Sequence, residues 1–121
     1  MISNDGLSLG IDLKYFRMRI PRKTLQELGN PGFIQFMVNP STKVIALRPV
    51  AGMSMPDQTC RIDWRQMNEN GYIEVKSKFF LPALCAGIAG MTEGRSYKMF
   101  GMSIPSEGIV VFPLKSEGSV R

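Results

Sequence analysis

The order of secondary-structure signals repeats along the chain, and this repeat constrains the fold more than any other feature. In the first half, a strand-like segment precedes a short helix and two apolar strands around a turn at Pro40. The second half has the same order around a turn at Pro105. Corresponding positions lie 55 residues apart in the first strand and about 65 apart in the hairpin. The pattern predicts two copies of one structural unit.

The size of each unit indicates how the two copies are arranged. A unit of about 35 residues with three short strands and one helix cannot bury its apolar face alone. We therefore expect residues 1–121 to form one domain in which both units share a core about a pseudo-twofold axis. The first unit spans residues 11–49, the linker residues 50–59 and the second unit residues 60–115. The predicted class is mostly β with short helices.

The first unit begins with a strand over residues 14–20, because apolar and polar side chains alternate there. Met18 and Ile20 are predicted to face the core, and Arg17 and Arg19 to face solvent. The strand is expected to end at a proline that suits the first position of a helix.

A short helix and a hairpin complete the first unit. The helix is predicted over residues 21–28 and ends at Gly29, a residue suited to a left-handed C-terminus. Residues 33–38 are almost entirely apolar, which favours a strand buried on both faces. The return strand is predicted over residues 44–48 and ends at Pro49.

The second unit is predicted to follow the same plan. A helix is expected to begin at a Ser77 cap or with Pro82 in its first turn, and to run to about Ala89. The remaining predicted elements are strands at 60–64 and 72–76, a turn at 68–71, and a hairpin of strands 95–100 and 109–112 around a turn at 105–108.

Composition excludes several kinds of chemistry. The chain contains no histidine, so Ser-His, Cys-His and His-metal sites are excluded within one chain. Cys60 and Cys85 are too few and too far apart for a disulfide framework and are interpreted as reduced thiols. With no signal peptide and no long apolar segment, a cytoplasmic protein without membrane contact is expected. We expect no enzyme activity, catalytic residues, metal or cofactor.

A basic cluster is the strongest functional signal. The net charge is +5, and five cations fall within ten residues without an intervening acid. Outward side chains two residues apart on a strand are about 7 Å apart, close to the spacing of successive phosphates. The candidate nucleic-acid-binding residues are Lys14, Arg17, Arg19, Arg22 and Lys23. The alternative is a solvated strand face whose arginines pair with Asp12 and Glu27.

Two further sites carry competing interpretations. Lys76 and Lys78 align with Pro21 and Lys23 of the first unit, and they are candidates for a second-half binding site. Trp64 lies between basic residues and is either an exposed stacking platform or, more often for tryptophan, a cap on the core.

The segment Arg19-Ile20-Pro21-Arg22-Lys23-Thr24-Leu25-Gln26-Glu27-Leu28-Gly29 resembles the "r-I-P-k-x-x-r-x-x-L-G" motif of the AbrB-type swapped-hairpin proteins. Residues 44–49 resemble the closing strand of that family, and residues 71–75 and 93–95 resemble it more loosely. Two copies in one chain are similar to the MraZ arrangement. The resemblance implies a swapped-hairpin β-barrel in a bacterial or archaeal transcription regulator. Family members bind duplex DNA through basic surface residues, as dimers or higher oligomers.

We therefore expect a DNA-binding transcriptional regulator, with double-stranded DNA and further copies of the chain as partners. The alternative is a protein-interaction or structural module of the same fold that does not bind DNA. Glu74 motivates this alternative, because it aligns with Arg19 and reverses its charge. Such a module would recognise its partner through the linker and the Trp64 region.

Overall fold

In the computed structural model, the described residues form nine β-strands, one short α-helix and one 3₁₀ turn at Trp64–Gln66. The model describes residues 7–52, 59–76, 81, 91–92 and 94–114. The elements are β1 (Ser8–Asp12), β2 (Arg17–Pro21), α1 (Arg22–Glu27), β3 (Phe33–Asn39), β4 (Val44–Val50), β5 (Thr59–Arg61), β6 (Tyr72–Lys76), β7 (Ser96–Phe100), β8 (Met102–Ile104) and β9 (Ile109–Pro113).

The strands form two antiparallel sheets. The four-stranded sheet has the order β6-β2-β1-β7, and the five-stranded sheet has the order β5-β3-β4-β9-β8. The prediction of a mostly β fold is confirmed. Within the described residues, the strand pairing does not close into the expected single barrel but leaves two separate sheets.

Each sheet combines strands from both halves of the chain. In the four-stranded sheet, β2 pairs with β6 and β1 pairs with β7. In the five-stranded sheet, β3 pairs with β5 and β4 pairs with β9. One hydrophobic cluster contains side chains from both sheets and from α1. The two halves of the chain therefore contribute to one core.

The two hairpins of the five-stranded sheet have the same register. Met37 pairs with Ala46 in the β3–β4 hairpin, and Met102 pairs with Val111 in the β8–β9 hairpin. Both members of the second pair lie 65 positions after their counterparts in the first. Ala46 and Val111 are also partners of each other where β4 meets β9.

The predicted hairpin of strands 95–100 and 109–112 is wrong, because the chain changes sheets at Gly101. β7 pairs with β1, whereas the hairpin partner of β9 is β8. Gly101 is buried, and a Cβ atom at this position would lie 2.5 Å from Cε2 of Phe112. Its N–H donates a hydrogen bond to the carbonyl oxygen of Leu7 at 2.9 Å. Only glycine fits this crossing without displacing the aromatic ring.

The strand predicted from residue 14 begins at Arg17, because the preceding residues form a turn. The Asp12 carboxylate accepts hydrogen bonds from the backbone N–H groups of Lys14 at 2.8 Å and Tyr15 at 3.3 Å. Phe16 then has a positive φ of 54°. The predicted facing of the rest of the strand is confirmed: the two apolar side chains of β2 are buried and Arg19 is exposed.

Helix α1 follows the prediction closely, starting one residue after Pro21 and ending at Glu27. Leu25 and Leu28 are buried. The Thr24 hydroxyl donates a hydrogen bond to the carbonyl oxygen of Ser8 at 2.9 Å, which ties the helix to β1. Gly29 has a φ of 84°, the left-handed conformation expected at this helix end.

Two predicted strand ends differ from the structure. β4 continues through Pro49, which pairs with Ile34 of β3. Proline has no N–H to donate to a neighbouring strand. The proline is tolerated here because β9, the strand on the other side of β4, begins at Ile109 and pairs with β4 only as far as Leu47, so β9 needs no hydrogen bond from Pro49. The strand predicted over residues 60–64 is shorter, since β5 ends at Arg61 and a 3₁₀ turn begins at Trp64.

The predicted second helix and part of the predicted linker lie outside the described residues. Leu81 is helical and fully buried, whereas the rest of the segment from Ser77 to Ala89, including Cys85, is not described. Val50 and Thr59, the ends of the predicted linker, belong to strands. In the described part of the chain, no helix has the length and apolar character needed to cross a membrane.

Candidate nucleic-acid interface

The outward surface of the four-stranded sheet carries three of the seven candidate residues, Arg17, Arg19 and Lys76. Inward positions of these strands are buried, apart from the partly buried Val75, and the alternate positions face solvent. In the sheet register, Lys76 lies opposite Arg17, and Lys98 lies opposite Gly10. We call this surface the basic face and define it by Gly10, Asp12, Arg17, Arg19, Glu74, Lys76 and Lys98. It carries four cations and two carboxylates.

Gly10 forms the floor of a shallow depression in the basic face. It is the register partner of Arg19 on one side and of Lys98 on the other. Because neighbouring strands are about 4.8 Å apart, the backbones of these two cations are about 10 Å apart across the glycine. The depression is also lined by Ser8, Ser96 and Tyr72.

Carboxylates hold the two central arginines in place. Arg17 Nε lies 3.2 Å from Asp12 Oδ2, and an Arg17 Nη atom lies 3.7 Å from Glu74 Oε2. Arg19 Nε lies 3.2 Å from the same Glu74 oxygen. The predicted pairing with Asp12 is confirmed; the one with Glu27 is wrong for the described residues, since β6 brings Glu74 opposite Arg19 instead. Such solvent-accessible pairs contribute at most about 1 kcal/mol each.

Asp12 combines a structural role with an electrostatic one. Its partial burial raises its pKa, but the two backbone N–H groups of the following turn and the Arg17 guanidinium outweigh this. The net result is a pKa below the ordinary value of 3.8. Asp12 is therefore a carboxylate at neutral pH, and it fixes both the turn and the orientation of Arg17.

Aromatic rings flank the cations of the basic face. Lys14 Nζ and Arg17 Cζ lie 5.3 and 5.0 Å from the centre of the Tyr15 ring, and Arg19 Cζ lies 5.4 Å from that of Tyr72. Lys98 Nζ lies 5.6 Å from the centre of the exposed Phe100 ring. These cation–π contacts orient the long side chains over the sheet while their charges remain in solvent.

The remaining predicted residues lie at opposite ends of β2. Lys14 is exposed in the turn before the strand, and Arg22 and Lys23 are exposed in the first turn of α1 after it. None of the three forms an ion pair with a carboxylate among the described residues. Cations at the start of a helix oppose its dipole, so the helix gains no electrostatic stability from Arg22 and Lys23. Lys78 lies outside the described residues.

Lys98 is not among the residues predicted from the sequence, and Lys76 is predicted only as part of a second-half binding site. The alternation of Ser96 and Lys98 with buried Tyr97 and Met99 does indicate that Lys98 faces outward. It does not indicate that β7 lies beside β1. That pairing joins residues almost ninety positions apart, and only the register places Lys98 across Gly10 from Arg19.

Two other candidate residues have structural roles. Trp64 Nε1 donates a hydrogen bond to the carbonyl oxygen of Pro31 at 3.0 Å, and the ring packs against the core, as the core-cap interpretation predicts. Burial raises the pKa of the Cys60 thiol to about 12, so this thiol remains protonated at neutral pH.

Three or more metal-ligating side chains do not cluster anywhere in the described ranges.

Comparison of this chain with protein-family models, with curated proteins and with solved structures gives no match.

Proposed function

We propose that this protein binds duplex DNA through the basic face and the start of α1, and acts as a bacterial transcription regulator of the AbrB-like class. The observation that carries the proposal is the placement of Arg17, Arg19, Lys76 and Lys98 on one outward surface. These cations come from three strands and from both halves of the chain. Such a regulator acts in the cytoplasm, where the bacterial chromosome lies.

The spacing of the cations supports backbone recognition. Arg17 and Arg19 project from positions about 7 Å apart along β2, which is close to the separation of successive phosphates. The row of charges continues after Pro21 with Arg22 and Lys23, in the same direction along the chain. Gly10 leaves room for a phosphate or sugar to approach between Arg19 and Lys98.

Strand exchange between the two halves supports a swapped-hairpin fold, which the AbrB-like class implies. β1 of the first half pairs with β7, and β5 of the second half pairs with β3. Arg19 and Glu74, which are 55 positions apart, are direct register partners, as expected at a pseudo-twofold axis. Ala46 and Val111, 65 positions apart, are partners in the other sheet. This is the arrangement expected of two swapped-hairpin units in one chain.

The carboxylates of the basic face are compatible with DNA binding. Phosphate groups compete with Glu74 for Arg17 and Arg19, and Arg19 is about half exposed. A guanidinium has donors for both a carboxylate and a phosphate, so Asp12 keeps Arg17 oriented while other donors remain free. The local charge of the basic face, rather than the total charge of the chain, supplies the attraction.

A fluorescence-anisotropy titration with a labelled duplex tests the proposal. The Arg19→Ala, Lys98→Ala double variant removes one cation from each side of Gly10. It is expected to weaken binding and to reduce the salt slope by about two, because two phosphate contacts are lost. Arg61→Ala is the matched control, since Arg61 is exposed on β5 at the edge of the other sheet. It is expected to change the slope by less than one.

Binding that ignores salt and is the same in both variants would contradict the proposal. A circular-dichroism melt of each variant shows whether the fold is retained. The three affected side chains, Arg19, Lys98 and Arg61, are exposed, and none of them belongs to the buried core.

A second candidate function is a protein-interaction module with the same fold. The observation that favours it is the partial neutralisation of Arg17 and Arg19 by Asp12 and Glu74. A pull-down from the native host separates the two functions. Bound nucleic acid that disappears with nuclease favours DNA binding, and a stoichiometric protein that survives nuclease favours the interaction module.

A further inference from the structure

The outward surface of the five-stranded sheet is mostly apolar, unlike the basic face. Its polar side chains are Gln35 and Asn39 on β3, Arg48 on β4, and Thr59 and Arg61 on β5. On β4 and β9, the outward side chains include valine, alanine and isoleucine, and the inward ones are also apolar. Met37 on β3 and Met102 on β8 continue the same surface. We call this surface the apolar face and define it by Met37, Val44, Ala46, Met102, Ile109 and Val111.

The strands of the apolar face have the composition of strands buried on both sides. Residues 44–47 and 109–112 are unbroken apolar runs, and residues 33–38 contain one polar residue. Such runs are typical of sheets covered on both faces, whereas a sheet with one solvated face alternates. In the single chain, the outward residues Gln35 and Thr59 are buried, at the β3–β5 end of the sheet. The residues of the apolar face remain partly exposed, and Met102 is 50% exposed.

We propose that the apolar face binds the apolar face of a second copy of this chain. A contiguous apolar surface of several hundred Å² on a small protein is typical of an interaction site. The size of the sheet supports this. Five strands spaced about 4.8 Å apart and about five residues long give the whole outward surface, with the apolar face at its centre and the polar side chains around it, roughly 400 Å² in projection. Two such surfaces, corrugated by side chains, reach the lower range of specific interfaces, near 1,000 Å².

The layout of the apolar face favours a second copy over an unrelated partner. Across the sheet, one register row reads Met37, Ala46, Val111, Met102, with two small side chains between two methionines. Read from either end, the row therefore runs from a methionine through two small side chains to a methionine. A twofold interface requires a surface that complements itself, and a row with this symmetry places methionine over methionine and small residue over small residue.

Charges at the border of the apolar face are also complementary. Arg48 and Glu107 line the same depression as Ala46 and Ile109. A twofold axis that runs along the strands between β4 and β9 places β4 of one copy over β9 of the other. Each Arg48 then lies near the Glu107 of the other copy, so two opposite-charge pairs form at the edge of the interface. Opposite charges at the rim favour this register over others.

Sedimentation-velocity centrifugation of the full chain, without DNA, tests the proposal. The wild-type protein is expected to convert from monomer to dimer between about 1 and about 100 µM, as a small interface allows. Val111→Glu places a charge at the centre of the face and is expected to raise the dimer dissociation constant at least about thirtyfold. Tyr15→Glu is the matched control, because Tyr15 is also an exposed large side chain but lies in the β1–β2 turn. It is expected to dimerise like wild type.

A charge exchange provides a test that leaves the centre of the sheet untouched. Arg48→Glu alone is expected to weaken dimerisation, and adding Glu107→Arg is expected to restore it. Both side chains are exposed, but Arg48 Nη2 also donates a hydrogen bond to Oε1 of the buried Gln35, so a circular-dichroism melt of each variant checks that the fold is retained. A wild-type protein that remains monomeric throughout the concentration range overturns the proposal, as does a dimer that Val111→Glu and Arg48→Glu leave unchanged. Neither result depends on whether the basic face binds DNA.

Discussion

The outward surfaces of the two sheets differ, although both sheets use strands from both halves of the chain. In the four-stranded sheet, buried apolar residues alternate with exposed polar ones, as in Ser96–Phe100. In the five-stranded sheet, β4 and β9 are apolar on both sides except at Arg48. The character of the outward side chains therefore depends on the sheet in which a strand lies and not on the repeated unit from which it comes. It divides the molecule into a charged surface suited to a polyanion and an apolar surface suited to another folded chain.

The largest expected difference between the two surfaces is in how binding through each depends on salt concentration. With about five phosphate contacts, a rise from 50 to 200 mM salt weakens DNA binding about five-hundredfold, because counterions compete for the phosphates. Self-association through the apolar face is expected to change little, since few charges are buried there. Anisotropy and sedimentation velocity in the same buffers measure both effects. A parallel loss of DNA binding and dimerisation would show that one surface serves both.

The crossing between the sheets is expected to be the most sensitive point for stability. Gly101→Val places side-chain atoms against the Phe112 ring and is expected to lower the free energy of unfolding by about 2 to 3 kcal/mol through overpacking. Gly32→Ala is the matched control, because its Cβ would meet no atom within 4 Å. We expect that control to change stability by less than about 0.5 kcal/mol in urea denaturation. Equal losses in the two variants would contradict the crossing geometry.

Glu74 provides a sharper test of the basic face. Glu74→Gln releases Arg17 and Arg19 and removes one negative charge, so DNA affinity is expected to rise about fourfold. Stability is expected to fall by less than about 1 kcal/mol, because the ion pairs are exposed to solvent. Glu107→Gln changes the net charge equally at the other sheet and is expected to leave DNA affinity within about twofold. Weaker DNA binding by Glu74→Gln would mean that Glu74 orients the arginines for binding.

The smallest expected effect is a pH dependence at Asp12. Its pKa in the folded protein is below 3.8, so the folded state binds fewer protons near that pH than the unfolded state does. The resulting stability is present above the unfolded-state pKa and is lost as the pH falls through the folded-state pKa. In urea denaturation, the difference between wild type and Asp12→Asn is therefore expected to shrink between about pH 7 and about pH 3. A difference that does not change with pH would contradict this role of Asp12.

The sequence predicts most local elements because their signals are local. Pro21 and Gly29 mark the ends of α1, and period-two alternation predicts the facing of β2. The turns after Pro40 and Pro105 also occur where proline and neighbouring polar residues favour them. In these cases, the residues that determine the structure lie within a few positions of it.

Pairing between distant strands is what the sequence does not predict. The apolar runs give no indication that β7 leaves its expected hairpin and joins β1, because the reason is the contact between Gly101 and Phe112. The same limit applies to the basic face. Five cations are recognisable in the sequence as one basic segment, and two of them, Arg17 and Arg19, belong to the basic face. Lys98 and Glu74 join these two only through the register of other strands.

An NMR titration of the ¹⁵N-labelled protein with duplex DNA tests the central claim most directly, because it observes both surfaces at once. We predict that backbone shifts concentrate at Gly10, Arg17, Arg19 and Lys98 and at the start of α1, while Ala46 and Val111 remain unchanged. Shifts centred on Ala46 and Val111, or no shifts at low salt, would contradict DNA binding by the basic face.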